Sequence, residues 1–137
     1  MSTNSQSPTG DRTSLDGVHI LIVDDSDELR EIIEFVLAAR GARVDSACDG
    51  AEAISMSQTT SYDLILMDLR MPGLDGRDTA AKIKSRPSKT KIVALTGDLN
   101  AMRASAKDSP FDAFISKPID PGNLSVSIIN AVNVKCS

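Results

Sequence analysis

The chain has 137 residues, which is enough for one domain with a sizeable core but not for two. Apolar residues make up 41% and aromatic residues only 3%, so the core must be aliphatic. A formal net charge of −4 argues against direct nucleic-acid binding, and no apolar run approaches the roughly 18 residues of a membrane span. Since an apolar signal segment is also lacking at the N-terminus, we expect a cytoplasmic protein that binds neither nucleic acid nor membrane directly.

Both ends of the chain lack hydrophobic periodicity. Residues 1–16 are rich in Ser, Thr, Gly, Asn and Asp, which predicts a disordered N-terminal tail. A single domain is predicted over 17–134, followed by a short C-terminal tail at 135–137. The two cysteines, Cys48 and Cys136, lack metal-ligand spacing and are interpreted as free thiols.

Short apolar runs alternate with helical patterns along the domain. Buried runs of aliphatic and β-branched residues predict five strands, at 19–23, 43–47, 64–67, 92–95 and 111–116. Periodicity and capping residues predict five helices, at 27–40, 51–57, 76–84, 99–107 and 121 to about 132. The predicted inner stripe of the first helix is Leu29, Ile32, Ile33, Val36 and Leu37. The alternation predicts an α/β fold, a doubly wound parallel sheet with helices on both faces.

Functional side chains follow four of the five predicted strands. Asp24 and Asp25 follow the first strand, Asp68 the third, Thr96 the fourth and Lys117 the fifth. Because parallel strands end at one edge of their sheet, these groups should share one cleft. Three adjacent carboxylates repel one another, and Mg²⁺, which prefers oxygen ligands, would relieve that repulsion. We therefore predict a magnesium site at Asp24, Asp25 and Asp68, with Asp24 acting directly or through water.

Several other site types are excluded by missing motifs. The chain has no glycine-rich phosphate loop and no dinucleotide fingerprint after its first strand. Its single histidine, His19, lies at the start of a strand and hence at the opposite edge of the sheet. Without another histidine, no Ser/His or Cys/His pair can form, so the remaining nucleophile is a carboxylate, which can accept a phosphoryl group.

Four motifs, in this order and spacing, carry a family resemblance. They are LIVDD at 21–25, LILMDLRMPGLDG at 64–76, ALTG at 94–97 and FISKP at 114–118. With them the chain resembles the receiver domains of response regulators in two-component signalling, over about residues 19–134. The resemblance implies a five-stranded, flavodoxin-like (βα)5 fold with strand order 2-1-3-4-5.

The resemblance also implies a phosphoacceptor and a set of metal ligands. Asp68 would accept the phosphoryl group. Asp24, Asp25 and Asp68 would hold Mg²⁺ together with the backbone carbonyl of Arg70.

Three further residues would respond to the phosphoryl group. The resemblance implies that Thr96 donates a hydrogen bond to it and that Lys117 pairs with it. Thr96 and Phe114 would form the switch, in which Thr96 moves inward and Phe114 rotates into the space behind it. A cis peptide before Pro118 would hold Lys117 in its pose.

The implied function is a phosphorylation-activated switch in a phosphorelay. Asp68 would take a phosphoryl group from the phosphohistidine of a histidine kinase or a histidine phosphotransfer protein. A downstream protein would then bind the face formed by the fourth helix, the fifth strand and the fifth helix, and a weak dimer is compatible with this scheme. A stand-alone regulator and a receiver belonging to a hybrid histidine kinase both fit the sequence.

Two other functions remain open at the level of sequence. One is a pseudo-receiver that binds partners without phosphorylation, against which the complete set of site residues argues. The other is a Mg²⁺-dependent phosphatase or phosphotransferase with an aspartyl nucleophile. Such enzymes commonly carry a second acid two residues after the nucleophile, where this chain has Arg70. We therefore expect self-phosphorylation and self-dephosphorylation rather than turnover of a substrate.

Overall fold

The computed structural model describes residues 14–69, 76–85, 89–97 and 110–133. The backbone carbonyl of Arg70, the predicted helix over 99–107 and the C-terminal tail lie outside these ranges, as do residues 1–13.

A parallel sheet of five strands runs through the centre of the domain. The strands are β1 (His19–Val23), β2 (Arg43–Ala47), β3 (Leu64–Asp68), β4 (Lys91–Thr96) and β5 (Ala113–Ser116). The described helices are α1 (Asp27–Ala38), α2 (Gly50–Thr59), α3 (Gly76–Lys84) and α4 (Pro121–Asn133). The spatial order β2-β1-β3-β4-β5, with every pairing parallel, confirms the predicted fold class and strand order. None of the described helices is both long and apolar enough to cross a bilayer.

Helices cover both faces of the sheet, and alternate strand residues supply the two cores. One core joins the sheet to α1 and α4, through Ile20, Ile22, Leu64, Leu66, Val93, Leu95, Ile33, Leu37, Leu124 and Ile128. The other joins it to α2 and α3, through Leu21, Val23, Ile65, Met67, Ile92, Ala94, Ala53, Ala80 and Ile83. Because successive strand residues point to opposite faces, strands buried on both sides read as continuous apolar runs in the sequence.

The inner stripe of α1 is narrower than predicted. Ile33 and Leu37 are fully buried, and Leu29 and Val36 pack at their sides. Ile32, which the sequence analysis assigned to the stripe, has 43% of its surface exposed. One residue corresponds to about 100° around a helix, so a helix lying flat on the sheet buries Ile33 and turns Ile32 outward.

The folded unit begins earlier than the sequence analysis expected. Leu15 is 1% exposed and belongs to the core beside α1 and α4. Its N–H donates to the carbonyl of Arg40 at 2.7 Å, and its carbonyl accepts from Val18 N–H at 3.0 Å. The predicted disordered tail over 1–16 is therefore wrong for Leu15, because one apolar residue among polar neighbours shows no periodicity that sequence analysis could detect.

Leu15→Ala should lower the free energy of unfolding by about 2–4 kcal/mol, since it removes a fully buried side chain and leaves a cavity. Val126→Ala on α4 is the control, because this side chain is more than half exposed and should change stability by less than about 0.5 kcal/mol. Urea unfolding followed by circular dichroism measures both. Equal effects for the two variants would show that Leu15 does not contribute to the core.

Candidate functional site

The carboxyl edge of the sheet brings the predicted residues together. Asp68 is the last residue of β3 and Thr96 the last of β4. Asp24 follows β1 directly, and its N–H donates to the carbonyl of Ala47 at 3.2 Å. Lys117 follows β5, where its N–H donates to the carbonyl of Thr96 at 2.8 Å. Because β3 lies between β1 and β4, Asp68 occupies the centre of this edge.

Three carboxylates form an acidic cluster at this edge. One oxygen from each of Asp24, Asp25 and Asp68 can be chosen so that all three atoms lie within 4.8 Å of one another. Asp24 is 1% exposed and Asp68 is 4% exposed, whereas Asp25 faces solvent. Two buried carboxylates so close together have lost much of their hydration, so their charges interact strongly.

Asp24 shows the electrostatic cost of this arrangement. Burial, and to a smaller extent the charge of Asp68, raises its pKa to about 6, although a hydrogen bond from Ser26 N–H acts in the opposite direction. That bond joins Ser26 N to Asp24 Oδ1 at 2.9 Å. Asp24 Oδ2 is buried and has no hydrogen-bond partner among the described residues. A buried carboxylate oxygen without a partner indicates a place for a ligand.

Lys117 contributes the positive charge of the site. Its Nζ lies 3.2 Å from Asp68 Oδ2, and its side chain is about one-third exposed. The peptide bond between Lys117 and Pro118 is cis, as predicted. The ammonium group thus approaches the acidic cluster from β5, on the side of Asp68 remote from β1.

Thr96 and Phe114 lie on the same face of the sheet. Phe114 is the register partner of Ala94 on β4, and Thr96 lies two residues beyond Ala94. Since strand side chains alternate, both point toward the core beneath α2 and α3. Phe114 is half-buried there and makes an edge-to-face contact with Phe111, with ring centroids 5.7 Å apart. Thr96 is buried at the rim of the site.

The donor set fits the predicted cation. The three carboxylates supply oxygen ligands, one of them through an oxygen that lacks a partner among the described residues, and Asp25 keeps the cluster open to solvent. Mg²⁺ prefers such oxygen ligands and retains waters that phosphoryl oxygens can replace. The carbonyl of Arg70, the fourth predicted ligand, lies outside the described residues.

One residue beside this site was not predicted from the sequence. Arg30 on α1 donates from Nη1 to the carbonyl oxygen of Asp24 at 2.6 Å. Its other terminal nitrogen pairs with the carboxylate of Asp27. An arginine in the first half of the helix that follows the acidic pair was the available signal, but such cations are common on exposed helix faces.

His19 lies at the opposite edge of the sheet, as predicted. Its Nε2 is 2.9 Å from Asp45 Oδ2, which also accepts from the Tyr62 hydroxyl at 2.9 Å. Burial, followed by the bond to Asp45, raises the pKa of Tyr62 to about 12. These contacts connect β1, β2 and the segment before β3, far from the acidic cluster.

Comparisons with known proteins identify the family and the fold. Residues 20–129 match the family described as the response regulator receiver domain. The probable transcriptional regulator ycf27 of Cyanidium caldarium is 34% identical over 111 residues, which are 80% of this chain and 44% of that protein. The chain spans less than half the length of the first curated relatives that it matches.

This chain also matches solved structures of the same fold, two of them over nearly the whole length of the solved chain. Chemotaxis protein CheY4 of Vibrio cholerae superposes with a TM-score of 0.78 and 26% identity over 83% of this chain and 98% of that chain. Response regulator protein TrrA of Thermotoga maritima was solved in complex with Mg²⁺-BeF. It superposes with a TM-score of 0.75 and 28% identity over 83% of this chain and 98% of that chain.

The family match extends over most of the chain, and the strand order and the acidic edge of the sheet agree with it. Members of this family are phosphoacceptor signalling domains of two-component systems. The chain therefore belongs to the response regulator receiver domain family.

Proposed function

We propose that Asp68 accepts a phosphoryl group from the phosphohistidine of a histidine kinase or a histidine phosphotransfer protein, with Mg²⁺ as the cofactor. The observation that carries this proposal is the position of Asp68, which lies in the acidic cluster within 3.2 Å of the Lys117 ammonium. A carboxylate oxygen of Asp68 attacks phosphorus, a P–O bond forms, and the P–N bond to imidazole breaks. The electron pair of that bond leaves with the imidazole nitrogen.

The charges around Asp68 have distinct tasks in this reaction. Asp24, Asp25 and Asp68, with the backbone carbonyl of Arg70, would hold the cation. When bound, Mg²⁺ would neutralise charge on the phosphoryl oxygens during transfer. Lys117 pairs with Asp68 in the resting protein and would pair with the phosphoryl group in the product. Thr96 would donate a hydrogen bond from its hydroxyl to that group. Its place as the last residue of β4 supports this role.

The phosphorylated domain would signal through a changed protein-binding surface. Thr96 and Phe114 share one sheet face on neighbouring strands, which supports a switch in which movement of Thr96 alters the packing of Phe114. The surface proposed for a downstream protein consists of the predicted helix over 99–107, β5 and α4. We place this cytoplasmic switch either in a stand-alone regulator or within a longer signalling protein.

Wild-type protein incubated with acetyl phosphate and Mg²⁺ should gain one phosphoryl group per chain in intact-mass analysis. Asp68→Asn should gain none, because the amide oxygen is a much weaker nucleophile than a carboxylate, and a chelator should prevent the adduct on the wild type. Asp78→Asn is the matched control, since Asp78 is an exposed carboxylate on α3. Phosphorylation of Asp68→Asn at the same site would refute the proposal, and turnover of a small phosphoester would favour the phosphatase alternative.

Replacement of Lys117 by methionine should slow phosphorylation by acetyl phosphate about 10²-fold, because one preorganised positive group no longer stabilises charge on the transferred phosphoryl oxygens. Mg²⁺ binding should be retained or tightened, since the competing ammonium is gone. Rapid-quench kinetics and calorimetric titration with Mg²⁺ measure the two effects. Lys82→Met on the exposed surface of α3 serves as the control. A wild-type rate in Lys117→Met would remove this lysine from the mechanism.

Asp24→Asn should stabilise the metal-free protein by about 2 kcal/mol at pH 7, because a pKa raised from 3.8 to about 6 means that the charged carboxylate disfavours folding. The stability supplied by the protonated group is present below about pH 4 and is lost as the pH rises to about 6. The two proteins should therefore converge in acid. The asparagine Oδ1 can still accept from Ser26 N–H.

Thermal unfolding from pH 4 to 7, with and without Mg²⁺, tests this expectation. Mg²⁺ should raise the midpoint of the wild type and have little effect on Asp24→Asn. The Asp78→Asn control should follow the wild type under both conditions. If Asp24→Asn is less stable than the wild type in chelator at pH 7, the inferred cost of burying the charged Asp24 carboxylate is wrong.

A further inference from the structure

Arg30 bridges the loop that carries the acidic pair. Its Nη1 donates to the carbonyl oxygen of Asp24 at 2.6 Å, and its Nη2 pairs with the carboxylate of Asp27 in the first turn of α1. The Arg30 side chain is only 16% exposed, whereas Asp27 lies largely in solvent. One guanidinium group therefore links the residue after β1 to the start of α1.

This contact completes the restraint of Asp24. Its N–H donates to the carbonyl of Ala47, its carbonyl accepts from Arg30, and its Oδ1 accepts from Ser26 N–H. With both backbone groups and one carboxylate oxygen held, the direction of the side chain is determined. The remaining oxygen, Asp24 Oδ2, is the buried atom without a hydrogen-bond partner among the described residues.

Arg30 also brings positive charge without occupying a ligand atom. Lys117 contacts a carboxylate oxygen of Asp68, so its ammonium competes with a cation for that oxygen. Arg30 contacts the carbonyl of Asp24 instead, and both oxygens of the Asp24 carboxylate stay out of this contact. The guanidinium therefore leaves the carboxylate oxygens of Asp24 available to a cation.

We propose that Arg30 is a positioning residue that orients the Asp24 carboxylate for a divalent cation. The inference rests on the proposed function, because it takes the acidic cluster as the magnesium site. Groups that hold metal ligands by hydrogen bonds commonly change metal affinity 10–100-fold when they are removed. The planar, two-pronged guanidinium suits a bridge between a carbonyl and a carboxylate, which a lysine ammonium on its flexible stem cannot reproduce.

Calorimetric titration with Mg²⁺ provides the first test. We expect Arg30→Met to weaken binding about tenfold, and Arg30→Lys, which keeps the charge but loses the bridge, to weaken it about fivefold. Arg43→Met is the control, because it removes the same charge from an exposed residue at the start of β2, at the opposite edge of the sheet. Wild-type affinity in Arg30→Met, or full recovery in Arg30→Lys, overturns the inference. If Arg30→Met does not fold, the Mg²⁺ affinity of Arg30→Lys is compared with that of the wild type instead.

Hydrogen exchange in the metal-free protein provides a readout independent of the cation. The Ser26 amide, which donates to Asp24 Oδ1, should exchange several-fold faster in both Arg30 variants and at the wild-type rate in Arg43→Met. An unchanged Ser26 rate in both Arg30 variants overturns the positioning role.

Phosphorylation by acetyl phosphate separates positioning from general damage. The rate deficit of the Arg30 variants should shrink as Mg²⁺ approaches saturation, because the defect lies in cation affinity. A deficit independent of Mg²⁺ concentration contradicts the inference. Failure of the wild type to bind Mg²⁺ would overturn the proposed function itself, whereas wild-type binding with unchanged affinity in Arg30→Met overturns only the inference about Arg30.

Discussion

Repulsion among three carboxylates is the constraint on which the functional edge of this domain depends. Asp24 and Asp68 are buried beside each other, and Asp25 completes a cluster whose oxygen atoms approach within 4.8 Å. Burial strengthens each interaction because water no longer screens the charges. The aliphatic cores of the metal-free fold must offset this cost, and burial, with a smaller contribution from Asp68, raises the pKa of Asp24 to about 6.

The packed sheet holds these charged residues close together. β3 lies between β1 and β4, and all five of its residues, including Asp68, are buried. The apolar residues of β1, β3 and β4 pack on both sides against helices, so the strand ends are held by contacts that do not involve the charges. The packing that holds these strand ends therefore does not depend on the charge of the site.

Two cations approach the cluster in different ways. Lys117, at the end of β5, contacts the carboxylate of Asp68 directly. Arg30, on α1, contacts the carbonyl of Asp24 and leaves that carboxylate to other partners. In the proposed reaction, Lys117 would supply positive charge near the reacting oxygen, and Arg30 would keep a proposed metal ligand in a defined orientation.

The sequence by itself determined the architecture and the candidate residues. The short apolar runs of β1 and β3 are typical of buried strands, and each ends beside an acid. The parallel sheet, its acidic edge and the receiver resemblance could therefore be predicted. Only the tertiary structure decided that Leu15 is buried and Ile32 is not, that Asp24 Oδ2 lacks a hydrogen-bond partner among the described residues, and that Arg30 binds the Asp24 carbonyl. The physical reason is that strand and helix periods are local properties of the chain. Burial of a single residue and the partner of a single polar atom depend on which elements meet in space.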